Sequence, residues 1–193
     1  IVLIKGASGS GKTTLLNIIS NFMNPDKGTI SIIENKNFLR TIHKNDIAYA
    51  TQYPLLFDDD LAFNISLQPV EKINLEKLFK TSLSAGCFDY REYSNLTNKN
   101  NENLYKLVSS FLKKKVGRNG SKISGGQRKR ISLARALYSN RKIILLDEPT
   151  AGLDKNFEKY ILNTIKRESQ KHIFIISTHI DKLDEFAKHI INL

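Results

Sequence analysis

The chain has 193 residues, 40% of them hydrophobic and 25% charged, enough for one globular domain with a sizeable core and a smaller lobe. No apolar run approaches the ~20 residues of a membrane-spanning helix, and one cysteine, Cys87, excludes an internal disulfide and fits a reducing compartment. The net charge of +11 suits a nucleic acid, an anionic membrane surface or a polyphosphate alike, and its tightest runs, Lys113-Lys114-Lys115 and Arg128-Lys129-Arg130, read as a solvated face.

Ile1-Val2-Leu3-Ile4 predicts a buried strand running into Gly6. A helix is expected from Lys12 to about Phe22, with Leu15, Leu16, Ile18, Ile19 and Phe22 facing the core. Asn24 to Gly28 is a turn, Thr29 to Ile33 a strand, and Ile47 to Thr51 another strand, ending at Gln52. From about Leu61 to Lys115 the pattern turns helical, in Ile73-x-Leu75-x-x-Leu78-Phe79 and in Leu104-x-x-Leu107-Val108-x-x-Phe111-Leu112. The polar stretch Asn95 to Asn103 is expected as a loop between them, and Cys87 as a small residue between helices.

After Ser124 the α/β alternation resumes. The pattern predicts a helix to about Tyr138, a strand over Lys142 to Leu146, a helix near Phe157 to Glu168 and a strand over Ile173 to Ser177. A short helix near Asp181 to Lys188 and a final strand over Ile190 to Leu193 complete it. The expected fold is α/β, a mainly parallel sheet formed by 1–60 and 124–193, with an inserted α-helical subdomain over 61–123.

Gly6-Ala7-Ser8-Gly9-Ser10-Gly11-Lys12-Thr13 matches the phosphate-loop pattern, with a strand before it and a helix after it. Glycines let backbone amides converge on phosphate oxygens, and the helix adds its positive end. Lys12 is placed to neutralise β- and γ-phosphates, and the Thr13 hydroxyl to bind Mg²⁺. Ile143 to Glu148 is an apolar strand ending in two carboxylates: Asp147 is suited to the metal, Glu148 to polarising an attacking water. Ser124-Gly125-Gly126-Gln127 opens a helix, with Ser124 as its N-cap, and offers a second anion-binding end. One domain has no use for two such ends on one γ-phosphate, so the second is expected to cap the nucleotide of another copy in a two-fold pair.

Together these segments resemble the nucleotide-binding domain of the ATP-binding cassette (ABC) transporter family, a P-loop NTPase core, over essentially the whole chain. The resemblance makes Gly6 to Thr13 the Walker A loop, with Thr14 beside it at the nucleotide, and Ile143 to Asp147 the Walker B strand. It makes Glu148 the catalytic carboxylate and Ser124 to Gln127 the signature motif, with Ile123 in place of the usual Leu. It makes Gln52 the glutamine that touches Mg²⁺ and water, Ala151 to Asp154 the loop at the dimer interface, and His179 the switch histidine. His43, His172 and His189 are expected to be structural. The implied cofactors are ATP and Mg²⁺. The implied partners are a second such domain, head to tail in a homo- or heterodimer, and a transmembrane domain on another chain or another part of the same one. The implied place is the cytoplasmic face of a membrane.

Two departures bear on subtype. The family places antiparallel strands and an adenine-stacking aromatic ahead of the loop, whereas residue 1 here begins the strand before it; adenine is expected to be held weakly by these residues. Val116 to Gly120 resembles the segment that exporters set against their membrane domain, with Arg118 where an acidic residue is usual. The rival reading, a soluble ABC ATPase acting on nucleic acid or ribosomes, calls for long heptads between the nucleotide motifs or for two cassettes. Only 111 residues separate Lys12 from Ser124, without sustained heptads, and there is one cassette.

Overall fold

The structure, a computed structural model, describes residues 1–34, 38–87, 109–110, 112–179 and 181–193. The expected loop over Asn95 to Asn103 and most of the periodic stretch Leu104 to Leu112 lie outside them. The chain divides into two compact units, the first of Ile1–Thr51, Asn140–Pro149 and Ile165–Leu193, the second of Gln52–Ser139 and Thr150–Thr164.

The first unit is built on a parallel five-stranded sheet. Strands β1 (Val2–Lys5), β4 (Ile47–Ala50), β5 (Ile143–Asp147), β6 (Ile173–Ser177) and β7 (His189–Asn192) lie in the order β4-β5-β6-β1-β7. Every residue of β5 is buried, as a continuous apolar run in a parallel sheet requires. Strands β2 (Ser31–Glu34) and β3 (Phe38–Thr41) form a separate antiparallel ribbon. Helix α1 (Lys12–Ile19) buries Leu16 in a cluster with Ile4, Ile42, Ile47, Ile143 and Leu145.

Helix α1 stops earlier than its apolar pattern suggests. Asn21 turns left-handed (φ 62°), and the amides of Asn21 and Phe22 donate to the carbonyls of Ile18 and Asn17 at 3.1 and 2.9 Å. This reverse-turn cap ends the helix and leaves Phe22 71% exposed instead of in the core, its ring 5.9 Å from that of Tyr49.

The second unit contains the helices α2 (Leu61–Ser66), α3 (Leu75–Ser84) and α4 (Gly125–Ser139). The expected helical subdomain, 61–123, falls within it. The Asp60 and Asn74 side chains cap α2 and α3, each accepting from an amide three residues on at 2.9 Å. Asn64, fully buried, bonds the amide and carbonyl of Phe57 and the carbonyl of Asp60 at 2.8–3.0 Å, which fixes the chain entering α2.

The basic run at the start of α4 is not a solvated face. Arg128 donates to the carbonyls of Asn119 and Gly120 (2.6 and 2.9 Å), Lys129 to that of Ala151 (2.6 Å) and Arg130 to that of Gly86 (3.1 Å). Arg130 also lies 4.1 Å over the Phe157 ring. One turn on, Arg135 donates to the carbonyls of Asn64 and Leu55 at 2.8 and 3.1 Å. These cations close carbonyls that helix ends and loops leave open. Burial pushes the Cys87 thiol up to about 12, and the residues that follow it lie outside those described. Helix α5 (Lys155–Glu168) begins at Asp154, whose carboxylate accepts from the amides of Asn156 and Phe157 at 3.0 and 3.1 Å.

Candidate functional site

In the first unit Ile4 of β1 pairs with Ser177 of β6, and Ser177 with Asp147 of β5. Three parallel strands therefore end side by side, and ligands of open α/β sheets bind outside such carboxyl ends. The phosphate loop leaves β1 here. A Cβ on Gly6 would stand 2.8 Å from the carbonyl oxygen of Leu193 and run into the Ser10 side chain, so only glycine passes. Gly11 takes the left-handed conformation (φ 99°) as the residue that opens α1, and the Leu15 amide donates to its carbonyl at 2.8 Å. Ala7, Ser8, Gly9 and Thr14 are exposed. Lys12 is 8% exposed and its ammonium donates to the carbonyls of Gly6 and Ala7, 2.8 Å each, so its charge is held at the loop itself.

Asp147 is 2% exposed and is met by three hydroxyls. Thr13 donates to Oδ2 at 2.8 Å, Tyr49 approaches the same oxygen at 3.5 Å, and Ser177 donates to Oδ1. Burial, reinforced by the Asp147 carboxylate, pushes the Tyr49 phenol well above its ordinary value. Tyr49 stays a neutral donor there.

Glu148 follows Asp147 in the left-handed region (φ 48°), where a non-glycine residue carries backbone strain. Its amide is held by the Ser177 carbonyl and hydroxyl, both at 3.1 Å. Its Oε2 lies 2.9 Å from His179 Nδ1, with the histidine side chain 63% exposed and the glutamate side chain 12%. One unit thus brings together the loop, Lys12, Thr13, Asp147, Glu148 and His179. Tyr49 and Ser177 are the residues that sequence reasoning missed. The signal for Ser177 was a polar side chain at the end of an apolar strand, and Tyr49, inside β4, had none.

His172 is structural, as expected: it is 9% exposed, bonded through Nδ1 to the Arg141 carbonyl at 2.8 Å and set edge-on to Phe174.

The second unit holds the remaining candidates, Gln52 and Ser124 to Gln127. The Ser124 hydroxyl accepts from the Gln127 amide at 3.2 Å, and the Gln127 side chain accepts from the Ser124 amide at 2.9 Å, a reciprocal cap on α4. Among the described residues a Cβ on Gly125 would meet nothing within 4 Å, whereas one on Gly126 would press on Leu153 at 3.2 Å.

Two observations test whether the first unit fits a nucleotide with its metal. The buried Ser10 hydroxyl in the loop has no partner among the described residues, and Thr13 and Asp147 bring two oxygen ligands together. Mg²⁺ is held by one or two such oxygens plus phosphates, so the residues fit. No cluster of three or more His, Cys, Asp or Glu suited to a metal occurs among the described residues, and none is needed for Mg²⁺.

The ABC transporter family model matches residues 1–151. The ATP-dependent lipid A-core flippase of Thiobacillus denitrificans is 30% identical over 194 residues, spanning 100% of this chain and 31% of that protein. The glutathione/L-cysteine transport system ATP-binding/permease protein CydC of Bacillus subtilis is 33% identical, over 91% of this chain and 29% of its own length. The chain spans about a third of the curated relatives it matches. Among solved structures, a bacterial Atm1-family ABC exporter with ATP bound superposes with a TM-score of 0.77 at 23% identity, over 100% of this chain and 32% of its own. A dimeric ATP-binding cassette in a post-hydrolysis state, bound to ADP and Pi, gives 0.73 at 25% identity, over 100% and 80%. By its phosphate loop, its paired acidic strand end and these matches, the chain belongs to the ABC transporter family, as an ATPase domain.

Proposed function

We propose that this domain hydrolyses ATP to drive transport across a membrane, working head to tail with a second domain of its kind. The observation that carries the reading is the contact between Glu148 and His179, placed beside the Thr13–Asp147 pair at the ends of adjoining strands. Gly6 to Thr13 and Thr14 cradle the phosphates, and the Lys12 ammonium balances their charge. Thr13 and Asp147 would hold Mg²⁺, which would neutralise charge on the phosphate oxygens, and Gln52 is assigned to the metal by the family resemblance alone. Glu148 takes the proton of the attacking water, held from behind by Ser177 and from the side by His179. His179 also stabilises the γ-phosphate as charge shifts onto it.

Ser124 to Gln127 of one domain closes over the ATP of the other. Gly125 supports this, since among the described residues nothing around it demands a glycine, and an amide approaching an anion closely does. The ATPase core is assigned to 1–60 and 124–193, and the inserted subdomain to 61–123. The membrane-spanning part belongs to a partner or to another part of the same polypeptide, and this domain works at its cytoplasmic face, a reading supported by the flippase and permease names of the relatives. Among the described residues no helix is long and apolar enough to cross a membrane. The nucleic-acid alternative has less behind it, because Arg128, Lys129 and Arg130 are engaged with backbone carbonyls.

The test is Glu148→Gln. The variant is expected to bind ATP, to dimerise in its presence, and to lose turnover by at least ~10²-fold in a phosphate-release assay. Hydrolysis at the parent rate would overturn the assignment of Glu148.

A further inference from the structure

We propose that Lys5 is a positioning residue for this reaction: it grips Asp181 and Asp184 and so holds the segment that carries His179 in register with the phosphate loop. The proposal rests on the ATPase reading above and adds a residue that neither the motifs nor the matches assign.

Lys5 is the last residue of β1, directly before Gly6, and its side chain is 15% exposed. Its ammonium lies 2.6 Å from Asp181 Oδ1 and 2.6 Å from Asp184 Oδ2. The two carboxylates sit three residues apart on a 3-10 helix, Asp181–Phe186, a spacing that places side chains one above the other at three residues per turn. One cation therefore meets both from the same side. The two hydrogen bonds raise the Lys5 pKa, and the bond from Lys5 lowers that of Asp181. A single exposed ion pair contributes little. The consequence here is one of placement.

His179 stands between two attachments to the same strand end. On one side the Thr178 amide donates to the carbonyl of Ile4 at 3.1 Å. On the other, two residues beyond the histidine, Asp181 is held by Lys5. The strand end that launches the phosphate loop is thus the one that fixes the histidine segment from both flanks. With the Lys5 attachment gone, the ring keeps its contact to Glu148 and the Thr178 bond, but the chain beyond it is released. Phosphate binding has its own supports in Lys12 and the loop, so the loss falls on turnover more than on ATP affinity.

The experiment is steady-state ATP hydrolysis by the full-length protein, at a temperature where every variant is folded by circular dichroism. Parent turnover and its loss in Glu148→Gln establish the reaction. Lys5→Met keeps the stem and removes the charge. It is expected to lower kcat roughly tenfold, with KM for ATP within about twofold, because misplacement of a reacting group acts on the chemical step. Lys5→Arg should recover most of the loss. The isosteric pair Asp181→Asn/Asp184→Asn should reproduce it, adding Lys5→Met to that pair should cost nothing more, and the pair carries the test if Lys5→Met does not fold. Parent kcat in Lys5→Met or in the pair, a loss that Lys5→Arg does not recover, or a rise in KM at unchanged kcat would each overturn the clamp and leave the ATPase reading standing. No turnover by the parent would overturn that reading, and the clamp with it.

Discussion

A carboxylate taken out of water needs donors on its oxygens, and Asp147 has them from three hydroxyls on three different segments, Thr13, Tyr49 and Ser177. Ser177 does double service, since its hydroxyl also accepts from the Glu148 amide at 3.1 Å. Ser177→Ala removes the donor to Oδ1 but leaves Glu148 its bond to the Ser177 carbonyl. Hydrogen bonds to charged groups contribute about 1.5–3 kcal/mol, so urea unfolding should show a stability loss of about that size. Turnover should fall as well, because both acidic residues lean on this side chain. A variant as stable as the parent would show that the Ser177 bond to Asp147 contributes nothing to the fold.

At the level of elements, α4 is where sequence and structure differ most usefully. Its start was legible: Ser124 and Gln127 have the spacing of a reciprocal cap, and the structure forms it. The role of its cations was not, because their partners are carbonyls at Asn119, Ala151, Gly86 and Asn64, contacts set by folding and invisible in a run of basic letters. Arg135→Met is expected to destabilise by about 1 kcal/mol, the cost of leaving the part-buried Asn64 carbonyl unmet, read as a lower urea midpoint at unchanged slope. The strands β1, β4, β5 and β6 were legible within a residue or two because a parallel sheet buried on both faces writes an unbroken apolar run. Helix α2 was legible only as the onset of the helical lobe at Leu61 and was not delimited, because six residues are too few to show a helical period. Strand β3 was missed for the same shortness, and Phe22 was misplaced because the left-handed turn at Asn21 outweighs the apolar pattern around it. In the site, the residues bearing family motifs were legible, whereas Tyr49, Ser177 and Lys5 act through partners up to 179 positions away.

For the molecule as a whole, acid should be the damaging direction. Arg40, with the His43 amide, holds the Asp46 carboxyl well below the usual carboxylate range, and Lys115 and Lys5 lower Asp59 and Asp181. Groups whose folded pKa is depressed contribute stability above the unfolded value of ~3.9 and lose it as pH falls through the folded value. Protonating the 19 acidic residues also leaves 30 lysines and arginines to repel one another. The melting temperature is expected to hold between about pH 5 and 8 and to drop steeply below pH 4, with Asp46→Asn flattening the upper part of that drop in a calorimetric pH series. Against this ledger of stabilising contacts stands one residue that works the other way. The left-handed backbone at Glu148 costs on the order of 1 kcal/mol for any side chain with a Cβ, and glycine would remove that strain together with the carboxylate. Selection for firmness and selection for turnover therefore pull this position apart, so a lineage released from the need to hydrolyse ATP would drift here first, toward a steadier and silent protein.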